Sequence, residues 1–166
     1  ILSLIGFSSI LLTGLIGLFQ LKPEYLAIKE ALIPLIICIV VFSSQNSKYP
    51  IVIKLFEHLL DLDHIKSHLT DKDKEAKFQS VLKGSSTIVG LSFLVSSVLN
   101  YVLARVIVVS SPGSVAFNEE LGKMTALSYP VIALPSSIIL VIAIWFLIKK
   151  TQALTGLTLE ELLKIK

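Results

Sequence analysis

More than half of this chain is hydrophobic (54%) and only 16% is charged. A charged side chain inside an apolar run is therefore the first place where chemistry would show. Lys29 and Glu30 stand side by side in the run YLAIKEALIPLIICIVVF, residues 25–42. Asn100 and Arg105 interrupt a second run, residues 85–109, and Glu119, Glu120 and Lys123 follow shortly after it. An unpaired charge at the centre of a lipid layer costs about 2.5–3.5 kcal/mol on insertion scales, so such charges pair or reach the interface. Glu30 has the shorter reach, and its expected partner is Arg105 or Lys29. Together the seven residues form a candidate polar cluster on the outer side of a membrane bundle. Such a cluster either pins helices together or lines a vestibule for a solute or ion.

Other residue types with catalytic or ligand chemistry are sparse. His64 and His68 are four apart, with Asp61 and Glu57 on the same helical face. That spacing can hold Zn²⁺, but the pattern is not HExxH and the face is otherwise a solvated one, so no metal is assigned. Cys38 is the only cysteine, which excludes a disulfide framework or a CxxC site. It reads as a small apolar packing residue. No GxSxG, Walker loop or paired-carboxylate motif occurs in a suitable context. The chain is read as a non-enzyme without a cofactor. Its net charge of +3 comes with no Arg-rich or aromatic-interleaved patch, which points away from nucleic acid.

The elements that must position these residues are membrane helices. A span needs roughly 20 mostly apolar residues, and backbone groups in lipid must be satisfied internally, which selects helices. Four stretches qualify, at about residues 1–19, 25–42, 86–109 and 131–148. The expected fold is an all-α integral membrane protein, a single transmembrane domain over residues 1–166. The first stretch lacks the basic leader and the cleavage site of a signal peptide, and it is read as a true span with further chain upstream. Lys48, Lys54, Lys66, Lys72, Lys74, Lys77 and Lys83 fill segment 43–84, and Lys149, Lys150, Lys164 and Lys166 fill the tail. The connections 20–24 and 110–130 carry only Lys22 and Lys123. By the positive-inside rule the Lys-rich segments and both visible ends are cytoplasmic.

Within the cytoplasmic segment, residues 51–69 read as one amphipathic helix with Val52, Leu55, Phe56, Leu59 and Leu62 on its apolar face. TDKDKEAK, residues 70–77, reads as a solvated turn or helix start. Thr158 three residues before Glu161 is a capping-box spacing that should start a short interfacial helix. Small residues are expected to pack the spans: Ser9, Thr13 and Gly17 in the first, and Ser86, Gly90, Ser97 and Ala104, with Asn100, in the third. Pro34 and Pro135 are expected to kink spans two and four. LIGFSSILLT and IVGLSFLVSS, residues 4–13 and 88–97, suggest a parallel two-hairpin repeat.

The segments FNEELGKMTALSYPVIALPSSIILVIAIW, LTGLTLEEL and LTGLIGLFQLKPEYLAIKEALIP resemble a family of small bacterial inner-membrane proteins. That family is loosely related to the intracellular septation protein A group, and some members are labelled transporter-like. The resemblance covers most of the chain outside residues 56–83. It implies a bacterial inner membrane and no established substrate, cofactor or catalytic residue. Two functional expectations follow. One is a small-solute transporter-like or channel-like protein. The other is a non-catalytic structural or accessory subunit of a membrane or envelope complex. The expected partners are the lipid bilayer and either further copies of the chain or a larger membrane complex.

Overall fold

The computed structural model describes residues 22–47, 50–57 and 59–163, with residues 11, 14, 15, 18 and 19 before them. The elements in order are α1 (Pro23–Ser44), α2 (Ile51–Phe56), α3 (Leu62–Ser67), α4 (Lys72–Ile107) and α5 (Val115–Ser128). A π-helical turn (Tyr129–Ala133), α6 (Leu134–Thr155) and α7 (Leu159–Leu162) complete the chain. No strand occurs among the described residues.

Three helices are long and apolar enough to cross a membrane: Pro23–Ser44, Lys72–Ile107 and the continuous Val115–Thr155. They contain the second and fourth expected spans and residues 86–107 of the third. Most of the first expected span, residues 1–19, lies outside the described residues, as do Ser9, Thr13, Gly17 and the first half of the suggested repeat. Leu11, Gly14, Leu15 and Leu18, which are described, are helical.

Two helices exceed their expected spans. The charge run at residues 70–77 is a helix start, because α4 begins at Lys72 and continues without a break to Ile107. Its 36 residues at 1.5 Å each give roughly 54 Å, against a hydrocarbon core of about 30 Å. The charged first turns therefore stand clear of the apolar stretch. The expected outer connection at 110–130 is helical from Val115 onward. Gly113 at φ 88° makes the turn, and the Ser114 hydroxyl accepts from the Phe117 amide as N-cap. Phe117, Leu121 and Met124 then recur at i, i+4 and i+7, a helical apolar stripe.

The chain divides into two compact units. Ile1–Ile36 and Phe93–Ser136 form the first. Its core is Leu26, Val108 and Phe117, with Ile107, Leu121 and Met124 packed against them. Ser97, buried on α4, donates from its hydroxyl to the Ala31 carbonyl of α1 at 2.9 Å. Pro34 sits inside an unbroken α1, and its missing N–H frees the carbonyl one turn earlier. The Ser97 bond enters that same opened turn, as membrane helices with internal proline require.

Pro135 acts differently. The π-helical turn at Tyr129–Ala133 immediately precedes it, and the Leu134 amide bonds to the Tyr129 carbonyl, five residues back. The wider turn makes room for a ring that would crowd a carbonyl in a regular helix.

Ile37–Ser92 and Ser137–Lys166 form the second unit. Small residues set its helix spacing. A Cβ on Gly90 would meet the Phe42 ring at 2.8 Å, and one on Gly84 would meet Phe146 at 3.1 Å. Ser85 and Ser86 are fully buried, with hydroxyls bonded back to the Val81 and Leu82 carbonyls. The expected single helix over 51–69 is two short ones. Asp61 ends the first register by accepting from the His64 amide at 3.0 Å as N-cap of α3. The buried face then becomes Val52, Phe56, Leu60 and Ile65, while Leu55 and Leu59 are exposed.

The tail follows its sequence signal. Gly156 at φ 76° ends α6, and Thr158 and Glu161 form the capping box of α7. The Asp61 amide donates to the Leu162 carbonyl at 2.9 Å, and Leu60 bridges Leu163. The tail is thereby fastened to the α2–α3 segment.

Candidate functional site

All seven residues of the expected polar cluster fall in the first unit. The structure distributes them over separate bonds instead of one shared cluster. Lys29 Nζ lies 2.7 Å from Glu30 Oε1, with the Lys29 side chain 9% exposed and Glu30 26%. Adjacent helical residues point about 100° apart, so the long lysine stem bends round to reach its neighbour. Glu30 thus takes one of its two expected partners.

Arg105 takes a residue that the sequence reading passed over. Its Nη1 lies 3.2 Å from Glu24 Oε1 in the first turn of α1. Both side chains are about half exposed, and exposed pairs of this kind contribute roughly 1 kcal/mol or less. The signal was available, since Glu24 opens α1 as Arg105 closes α4 and the two helices run in opposite directions along the sequence.

Glu120 has the most complete set of partners. Its Oε2 accepts from the amides of Val109 and Ser110, each at 2.9 Å, and its Oε1 accepts from the Ser110 hydroxyl at 2.7 Å. This carboxylate ties α5 to the connection after α4 and holds the Phe117–Leu121 face against Val108. Asn100, expected to bond across an interface, instead donates to Ser96 of its own helix, to the carbonyl at 2.8 Å and the hydroxyl at 3.4 Å. An amide that returns to the preceding turn satisfies itself without a neighbour. Ser97, one turn away, makes the interhelical bond. Glu119 and Lys123 are exposed on α5.

The histidine pair resolves into local structure. The His64 and His68 rings meet edge to face at 4.7 Å between centroids. His68 Nδ1 lies 3.0 Å from the His64 carbonyl, and Asp61 is occupied as a helix cap. Among the described residues, no three His, Cys, Asp or Glu side chains gather as a metal site would need.

Chemically, these polar residues neutralise charge and join helix ends. No protein-family model, no curated protein and no solved structure matches the chain.

Proposed function

We propose that the chain is a multi-pass protein of the bacterial inner membrane, acting as a non-catalytic accessory subunit of a membrane or envelope complex. One observation carries this reading: the charged side chains Lys29, Glu30, Arg105 and Glu120, in and beside the spans, are bonded within the chain's own fold. Lys29 with Glu30, Arg105 with Glu24, and Glu120 with residues 109 and 110 are the principal instances. A side chain so engaged is neutralised within the fold and is not waiting for a solute.

The orientation follows from charge. Of fifteen Lys and Arg, only Lys22, Lys29, Arg105 and Lys123 belong to the unit containing the 108–114 connection. The positive-inside rule then puts the connections at 45–71 and 156–163 in the cytoplasm and 108–114 outside.

A transport-like reading stands second, favoured by one feature. Lys29 is buried beside Glu30 inside an apolar helix, and ionisable residues within a span mark ion and solute pathways as often as structural pairs. Native mass spectrometry after extraction from the host into nanodiscs separates the two. The accessory reading expects a second polypeptide at fixed stoichiometry. A homo-oligomer retaining a small solute, lost on Glu30→Gln while the oligomer persists, would establish transport instead.

A further inference from the structure

An open surface cleft of about 610 Å³ lies between the residues just after α1 and the first three turns of α4, all within one compact unit. Its α4 wall carries Lys72, Glu75, Gln79, Ser80 and Lys83, and Gln45 faces them from the other side. Residues 72, 75, 79, 80 and 83 recur at helical spacing, so α4 turns a largely polar stripe, with Ala76 inside it, toward this space.

The stripe is rich in donors. Among the described residues, neither Lys72 nor Lys83 is held in an ion pair, whereas Lys77, which does not line the cleft, is paired with Asp73 at 2.6 Å. The Gln45 Oε1 already accepts from the Thr87 hydroxyl at 3.3 Å. That bond leaves the Gln45 Nε2 as its donor for any guest. Two ammonium groups, three side-chain amides and two hydroxyls line the space with a single carboxylate, Glu75.

Depth narrows the ligand further. Gln45 immediately follows the apolar α1, and residues 84–104 of α4 carry no charge. The cleft therefore sits at the level where an apolar helix meets water, on the Lys-rich side. Phosphate groups of lipids occupy that level, and basic pockets between membrane helices hold them. Ammonium groups bind phosphate through short charge-assisted hydrogen bonds.

We propose that this cleft binds a phosphate-bearing anion, with Lys83 and Lys72 as its cations and Gln45 as its amide donor. The phosphate belongs either to a phospholipid headgroup or to a soluble phosphate ester, and the test tells these apart. The proposal does not depend on whether the chain is an accessory subunit or a transporter.

The test uses the full chain in detergent micelles, titrated with dioleoylphosphatidylglycerol and, as zwitterionic control, dioleoylphosphatidylcholine, with binding read by native mass spectrometry. The glycerol lipid should bind more tightly. Lys72→Gln with Lys83→Gln should weaken it by about fivefold per lysine removed. Lys54→Gln with Lys74→Gln, which removes the same charge from the same unit outside the cleft, should leave affinity nearly unchanged. Glu75→Gln should tighten binding several-fold, a gain that misfolding cannot produce. Displacement by millimolar glycerol 3-phosphate assigns the site to a soluble ester, and resistance to it assigns the site to lipid. Equal weakening in the two double-lysine variants, or no binding of either probe, overturns the proposal.

Discussion

At the level of single side chains, the pairing scheme makes a sharp prediction. Arg105→Gln and Glu24→Gln should couple in a double-mutant cycle, because the two groups touch. Arg105→Gln and Glu30→Gln should simply add. Thermal unfolding in nanodiscs reads both cycles, and coupling of Arg105 to Glu30 instead would reverse the assignment. The Lys29–Glu30 pair should respond asymmetrically. Glu30→Gln alone removes the carboxylate beside a buried ammonium and should destabilise by about 1–3 kcal/mol, whereas Lys29→Met with Glu30→Leu should cost less than Glu30→Gln alone. Gly90→Ala should also lower the melting temperature, by roughly 1 kcal/mol of overpacking against Phe42, and Phe42→Leu should recover part of it.

Residue identity made much of this legible. The charges, prolines and small residues that shape the helices are visible as departures from an apolar background. Their partners are less so, because a pairing across helices depends on which end of α4 meets which end of α1. Asn100 and Ser97 illustrate the limit. Both have hydrogen-bonding side chains on the same helix, and only the local geometry decides that Asn100 bonds to Ser96 while Ser97 crosses to Ala31.

Elements follow a similar division. Apolar length identified the three described helices long and apolar enough to cross a membrane, and the Thr158–Glu161 spacing identified the start of α7. Charge dominated residues 110–130: Glu119, Glu120 and Lys123 masked the Phe117, Leu121 and Met124 stripe. Along 51–69 a single helical period fitted the apolar residues, yet Asp61 restarts the helix and shifts the buried face.

The tail fastening supplies an element-level test. Glu161 accepts from the Thr158 amide and hydroxyl, and His64 and His68 lie near it; the Thr158 bonds chiefly hold its carboxyl below its usual range. A depressed folded value means that Glu161 contributes stability above the unfolded pKa of about 4.5. That contribution fades as pH falls through the lower folded value. Hydrogen exchange at the Asp61 amide, which bonds to Leu162, should accelerate under acid relative to the core of α4. Thr158→Ala should produce the same loosening at neutral pH, costing about 1 kcal/mol through the lost cap. An Asp61 amide equally protected in both cases would mean that the capping box does not hold the tail.

For the whole molecule, the proposed function sets one sidedness. The lysines of 43–84 and of the tail belong to one compact unit, and the Lys-poor connection at 108–114 belongs to the other. The proposed orientation puts the first region in the cytoplasm and the second outside. The sidedness of the chain is therefore the measurement to make. In a Cys38→Ala background, Lys74→Cys and Lys123→Cys place one thiol in each region. A membrane-impermeant maleimide added to intact cells should label the cysteine at 123 and reach the one at 74 only after the membrane is opened. Labelling of position 74 in intact cells, or of both positions alike, would contradict the account.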